Sequence, residues 1–127
     1  MANPANVIDM NSYQKWTRVD NIGTSQTNYL SCNSNYGMTV TNLTFHNYSS
    51  SSATVTVWLK TGDGNGKWIA NGMTVPAKSS LNLINKETPV YLTNGSSSVA
   101  VEGLDYSASA NNTFNAYISY EYWYDPT

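Results

Sequence analysis

Apolar and polar side chains alternate most clearly over residues 53–60. The apolar set in this segment consists of Ala53, Val55, Val57 and Leu59. A period of two is typical of a β-strand, because successive side chains point to opposite faces. Residues 62–66 read Gly-Asp-Gly-Asn-Gly. The Asp-Gly and Asn-Gly dipeptides in this run tolerate the positive φ that tight hairpin turns require. The pattern predicts a hairpin whose return strand covers residues 67–75.

The same period predicts strands along most of the chain. They cover residues 12–19, 27–32, 38–46, 53–60, 67–75, 80–84, 89–92 and 114–124, with one more around Val99 and Val101. The apolar positions change phase between Val40 and Leu43, which predicts a β-bulge. Residues 105–112 read as a polar loop, and the serines at 49–52 as a mobile hairpin loop. Eight or nine short strands without a helical period predict an all-β fold, a single antiparallel β-sandwich of the jelly-roll type.

The many aromatic side chains are the feature of the sequence that most suggests a binding partner. The chain holds four tryptophans and ten tyrosines. Several of these rings alternate with the apolar rows and so point away from the core, where such rings anchor protein interfaces and stack on sugars. The predicted partner-binding residues are Trp16, Arg18, Trp58, Tyr117 and Trp123. The alternative that these rings cover a second core or a sheet edge stays open.

Length and charge narrow the function classes. At 127 residues the chain has the size of one domain, and we expect residues 1–11, which lack periodicity, to form an extended arm. Charged residues make up 11% and the formal net charge is −2. The chain therefore has no basic stripe that could neutralise a phosphate backbone, and we do not expect it to bind nucleic acid. No apolar run approaches the roughly 18 residues of a membrane span.

Candidate chemistry is sparse. Cys32 is the single cysteine, and we interpret it as a packing residue. His46 is the single histidine, and we interpret it as a partly exposed loop residue at a predicted strand end. The carboxylates are scattered, so an enzyme ranks last unless two of them face each other across a cleft. Residues 63–66 resemble the start of a calcium loop but lack its later oxygen ligands. We predict no catalytic residue, metal site or cofactor.

A longer pattern resembles small virion structural proteins of tailed bacteriophages. Residues 73–83 read MTVPAKSSLNL, followed by Val-Tyr-Leu at 90–92 and Val-Ala-Val-Glu at 99–102. In those proteins a Val-Pro-Ala corner leads into a Leu-x-Leu strand, and Val-x-Leu, a turn and Val-x-Val complete the sheet. The resemblance covers about residues 40–122. Residues 94–96, Asn-Gly-Ser, depart from the glycine or aspartate that is usual around the last turn.

The resemblance implies a non-enzymatic structural protein located in the virion and made in the host cytoplasm. It implies a capsid decoration (cement) protein that binds the major capsid protein or other virion proteins, with a neck or tail component as the alternative. No functional residue carries over, because the matching residues determine the fold. Two further expectations are a homo-oligomer and a carbohydrate-binding module that stacks Trp58 and Trp123 on a host glycan.

Overall fold

The computed structural model describes residues 12–32, 36–60, 66–92 and 102–124. The strands are β1 (Ser12–Val19), β2 (Thr27–Ser31), β3 (Tyr36–Asn47), β4 (Ala53–Lys60), β5 (Gly66–Val75), β6 (Ser80–Ile84), β7 (Val90–Leu92), β8 (Gly103–Ala108) and β9 (Phe114–Tyr124). The described ranges contain no helix. The predicted all-β class is therefore confirmed, while the predicted arm, glycine turn and strand around Val99 and Val101 lie outside the described residues.

Two antiparallel sheets face each other. The five-stranded sheet has the order β1-β9-β3-β6, with β7 also paired to β3, and the four-stranded sheet has the order β2-β8-β4-β5. The first and last strands are neighbours in the first sheet, and β2 and β8 are neighbours in the second. This pairing of the early strands with the late ones is the jelly-roll arrangement that the strand count predicted.

The core fills the space between the inner faces of the two sheets. Phe45 from β3 meets the ring of Tyr106 from β8 edge to face, with 5.2 Å between the ring centroids. Tyr29 stacks on the same tyrosine at 4.8 Å. Offset and edge-to-face aromatic pairs stabilise a core beyond the area that they bury. Other fully buried side chains around this cluster are Val40, Leu43, Val55, Val57, Val75, Leu92, Leu104 and Phe114.

The predicted bulge in β3 is confirmed. The register between β3 and β9 shifts between Val40 and Asn42, so that Thr41 is the additional residue. Its hydroxyl donates a hydrogen bond to the Ser119 carbonyl at 3.3 Å. The extra residue places Val40 and Leu43 on the same face, and both are fully buried. A regular strand would have sent one of them to solvent.

The predicted loop at 105–112 is wrong over its first half. Residues Gly103–Ala108 form β8, which pairs with both β2 and β4 in the four-stranded sheet. Leu104 and Tyr106 point into the core. Asp105 made the segment look like a loop, but two side chains satisfy its carboxylate: Gln26 Nε2 donates at 2.7 Å and Asn28 Nδ2 at 2.9 Å. A hydrogen-bonded carboxylate can occupy a buried strand position without a positively charged partner.

The serine segment after β3 is also not a hairpin. It carries the chain from the five-stranded sheet to the four-stranded one. The buried Asn47 holds it, because its Nδ2 donates to the carbonyls of Ser51 and Val75, both at 2.9 Å. Its Oδ1 accepts hydrogen bonds from the backbone N–H and the hydroxyl of Ser49. One side chain therefore fixes the crossover between the sheets.

Val57→Asp should abolish soluble expression, because it places an unpaired charge at a fully buried position of the core. Thr56→Asp is the matched control. Thr56 is half-buried and its hydroxyl accepts the Gly72 N–H at 3.0 Å, a role that a carboxylate oxygen can take over. Soluble yield and thermal unfolding compare the two variants, and equal damage would contradict the assignment of the faces of β4.

Asn47→Ala should lower the free energy of unfolding by about 2–3 kcal/mol, because it leaves buried backbone groups without partners. Asn85→Ala is the control, since Asn85 Oδ1 accepts the N–H groups of Glu87 and Thr88 in an exposed turn. Water can replace those bonds, so this loss should stay below about 1 kcal/mol. Urea unfolding measures both values. Equal losses would show that Asn47 is no more important than an ordinary turn residue.

Candidate functional site: the outer face of the five-stranded sheet

The register of β1 on β9 brings four of the five predicted partner-binding residues to one face. Arg18 lies opposite Tyr117, and Ser12 lies opposite Trp123. Opposite residues of an antiparallel pair share a face, and so do alternate residues of one strand. Trp16, Arg18, Tyr117 and Trp123 therefore form a stripe on the side of the sheet that faces away from the core. We call this side the outer face.

Trp58 does not belong to the stripe. It lies in β4, opposite Trp68 of β5 and Asp105 of β8, on the outward side of the four-stranded sheet. The two sheets lie back to back across the core, so Trp58 and Trp123 point in opposite directions. The sequence placed both rings away from the core, but it did not show that they belong to different sheets.

The side chains of the stripe differ in how firmly they are held. Trp16 is 68% exposed. Arg18 and Asp20 form an ion pair at 3.1 Å in which both side chains are more than half exposed, so it contributes little to stability. Trp123 lies over Gly37, where an added Cβ would come within 2.6 Å of the indole Cε2. The glycine therefore provides the space that this ring fills.

Next to the stripe, β3 and β6 carry a hydrogen-bonded polar region. Asn82 Nδ2 donates to Asn42 Oδ1 at 2.9 Å and to Thr44 Oγ1 at 2.8 Å. His46 Nδ1 and Ser80 Oγ lie 2.9 Å apart. His46 lies at the end of β3 and is partly exposed, as predicted, but it belongs to the strand and not to a loop, because it pairs with Ser80 and Asn115. These contacts across the strands hold the polar side chains in place.

Two open depressions mark the outer face. A groove of about 410 Å³ runs beside Trp16, and its lining includes Gln14, Thr41, Lys86, Ser119 and Glu121. A second depression of about 350 Å³ is lined by Arg18, Asp20, Asn21, Tyr48, Asn115 and Tyr117. Both combine an aromatic ring with charged and amide groups. This mixture suits side chains of a protein partner, which insert rings and hydrogen-bonding groups together.

A tyrosine cluster on the inner side of β1 and β9 was not recognised from the sequence. Tyr122 contacts the rings of Tyr13, Tyr36 and Tyr120 with centroid distances of 5.5, 5.8 and 6.2 Å. Lys15 Nζ lies 5.6 Å from the Tyr122 centroid, within cation–π range. Tyr13 is 59% exposed. Alternating tyrosines at 120–124 were the available signal, but they read as part of the core row.

Two titratable groups lie away from both surfaces. Burial, with a smaller contribution from Glu102, raises the pKa of the Cys32 thiol to about 11, and its Sγ lies 3.0 Å from the Tyr36 carbonyl. Burial also raises the pKa of Tyr106, with a smaller effect of Tyr29. Both groups stay protonated near neutral pH. In the described part of the chain, no three His, Cys, Asp or Glu residues come together as metal ligands.

The described ranges also hold no helix long and apolar enough to cross a membrane. No family model and no curated protein sequence matches the chain. Among solved structures, the chain is similar to a chain from "Bacillus endospore appendages form a novel family of disulfide-linked pili", with a TM-score of 0.53 and 9% identity over 91% of this chain and 90% of that chain. At this identity the likeness shows the fold alone.

A second match is a chain from "Structure of infectious bursal disease virus Gx strain". It has a TM-score of 0.35 and 14% identity, and it covers 90% of this chain but 31% of that chain. A superposition this loose carries no argument about this protein. The first match therefore supports the fold described above, and the outer face has to be interpreted from its own residues.

Cys32 should react slowly with thiol reagents at pH 8 in the folded protein. A pKa of about 11 against the usual 9.0 lowers the thiolate fraction about a hundredfold, since each unit is a factor of ten. The free energy of unfolding depends on the same shift in the pKa of Cys32. The folded state keeps the proton that the unfolded state releases above its own pKa, so the unfolding free energy should fall as the pH rises from about 9 to about 11.

Labelling with a chromogenic disulfide, with and without urea, measures the first effect, and urea titrations across this pH range measure the second. Cys32→Ala is the control, because it should reduce the pH dependence while Tyr106 continues to contribute. Equal labelling rates in the folded and unfolded protein would contradict the buried position of the thiol.

Proposed function

We propose that this chain is a non-enzymatic structural protein of a repetitive particle, to which it attaches through the outer face. The observation that carries the proposal is the stripe of Trp16, Arg18, Tyr117 and Trp123 beside a fixed polar region. Aromatic rings and arginine are the side chains that dominate binding energy at protein interfaces. The outer face, with its open depressions, presents them to a broad partner surface.

The fold supports an assembly role. Jelly rolls of two antiparallel sheets recur in viral capsid domains, and the similar structure comes from Bacillus endospore appendages that are described as disulfide-linked pili. That description includes disulfide links, whereas the single cysteine of this chain is fully buried with a raised pKa. We therefore propose that its contacts in the particle are non-covalent. Fold-level analogy supplies the class of function, and the stripe supplies the surface.

Within this class, we propose that the chain is a capsid decoration protein that binds the major capsid protein of a tailed-phage head. The resemblance of residues 73–83 and the strands after them supports this choice, and a neck or tail component is the alternative. Copy number separates the two. Immunogold labelling of purified particles should show many copies distributed over the head for a decoration protein and a few copies at one vertex for a neck or tail component.

A carbohydrate-binding module is less well supported by the geometry. The predicted sugar platform used Trp58 and Trp123, and these rings lie on different sheets that face away from each other. One glycan cannot stack on both. A sugar site would have to use rings of a single face, and a glycan array with the intact protein tests for one.

Trp123→Ala should weaken binding to purified particles by more than about 2 kcal/mol, or roughly thirtyfold, because it removes an anchor of the stripe. Trp58→Ala is the matched control. It removes the same ring from a half-buried position on the opposite sheet and should leave particle binding nearly unchanged. Cosedimentation of the fluorescently labelled chain with particles lacking it measures both affinities.

Circular dichroism establishes that both variants remain folded before binding is compared. Weakened binding by Trp58→Ala, with Trp123→Ala unaffected, would move the attachment surface to the four-stranded sheet. Binding that neither variant changes would contradict the proposal that outward tryptophans anchor the protein.

A further inference from the structure

The four sheet edges of the described structure are not equally protected against pairing. An edge strand presents unpaired N–H and C=O groups, and proteins protect such edges with short strands, with bulges that bend the strand, or with charged side chains. On one edge of the five-stranded sheet, β6 has 5 residues and β7 has 3. In the other sheet, β2 shifts register between Asn28 and Leu30, and β5 shifts twice and contains Gly72 at φ 66°.

Strand β1 lacks the short length and the bulges of the other edges, and Lys15 and Arg18 are its only charged residues. It runs for 8 residues without glycine or proline, and its register with β9 is unbroken from Ser12 to Val19. Every side chain from Tyr13 to Arg18 is exposed. The strand also carries the most exposed tryptophan of the described residues, Trp16. A long, regular and partly aromatic edge of this kind is suited to adding another strand.

We propose that β1 pairs antiparallel with β1 of a second copy, with Trp16 opposite Trp16 on a two-fold axis. Symmetry limits the choice of register. Opposite residues must share a face, so a two-fold axis perpendicular to the sheet requires one residue to lie opposite itself. Centring on Gln14 aligns only residues 12–16, and centring on Thr17 aligns only residues 15–19.

Centring on Lys15 or on Trp16 gives the long registers. The first aligns residues 12–18 but places two lysines directly opposite each other, which is destabilising. The second aligns residues 13–19 and places the two indoles together, a favourable cross-strand pair. Charge therefore selects the Trp16 register over the only other one of similar length.

The remaining pairs of the Trp16 register are also compatible. Tyr13 faces Val19, Gln14 faces Arg18 and Lys15 faces Thr17, so no like charges lie opposite each other. Glu121 neighbours Gln14 on β9 in each copy, which brings a carboxylate near the arginine of the second copy. This self-complementarity is why we assign the edge to a second copy rather than to an unrelated protein. The two five-stranded sheets then form one continuous sheet.

The pairing does not depend on the proposed function, because it concerns the purified chain without any particle. It would, however, join the outer faces of the two copies into one surface around the two-fold axis. A particle would then meet two stripes together rather than one. Failure of particle binding and failure of dimerisation are therefore separate results.

Sedimentation velocity of the full chain across concentrations tests the pairing. The unaltered protein should dimerise, and Trp16→Lys should raise the dimer Kd at least about tenfold, because it places like charges on the axis. Trp68→Lys is the control, since Trp68 is 62% exposed on an edge strand of the other sheet. Its Kd should stay within about twofold. A monomer at concentrations up to about 1 mM, or equal effects of both variants, would overturn the proposal.

Cysteine cross-linking tests the register even if Trp16→Lys does not fold. Opposite Cα atoms in an antiparallel pair lie about 4.5–5.5 Å apart, within disulfide reach. Trp16→Cys should therefore form a covalent dimer on mild oxidation. Lys15→Cys alone should not, because its two copies would lie about 8 Å apart, but mixed with Thr17→Cys it should form a covalent heterodimer.

The chain with only its native Cys32 is the background control for oxidation. Cross-linking of Lys15→Cys with itself, or failure of Trp16→Cys to cross-link, would overturn the Trp16 register.

Discussion

Strand β9 is the element on which the rest of the structure depends. It pairs with β1 along all of β1 and with β3 over nearly its whole length. Its first residues, Phe114, Ala116 and Ile118, are buried in the core between the sheets. The same strand therefore joins the two ends of the described chain and supplies part of the core. Any change that displaces β9 must disturb both of its neighbours.

The later part of β9 continues beyond the buried core. Its inward side chains change from Ala116 and Ile118 to Tyr120, Tyr122 and Tyr124, and exposure increases until Tyr124 is 51% exposed. Tyrosine suits such a position, because the ring can pack against its neighbours while the hydroxyl stays in water. The centroid distance of 5.6 Å between Tyr36 and Tyr124 shows that the rings still pack against one another there.

The aromatic stripe and the exposed edge meet in β1. Among the described strands, β1 pairs on one side only, and its side chains are exposed on both faces from Tyr13 to Arg18. Residues in such a strand contribute little to the core. Binding to partners, rather than core packing, can therefore determine which residue types occur there. The same strand can then present Trp16 and Arg18 to a particle and its backbone to a second copy.

Much of this protein followed from local alternation in the sequence. A period of two located most strands, the phase change between Val40 and Leu43 located the bulge, and the alternation of Trp16 and Tyr117 with apolar residues placed their rings outside the core. These properties depend on neighbours in the chain, because a strand's two faces follow from its backbone geometry. They are readable without knowing which strands pair.

Tertiary structure alone decided which strands share a sheet. Pairing between distant segments separated Trp58 from the other outward rings. Pairing between distant segments also made a strand of Gly103–Ala108. The amides that hydrogen-bond the Asp105 carboxylate come from Gln26 and Asn28, which lie 79 and 77 residues earlier in the chain. Such partners leave no periodic signal near the residue that they stabilise. For the same physical reason, the long and regular edge of β1 can be recognised only once the pairing of the other described strands is known.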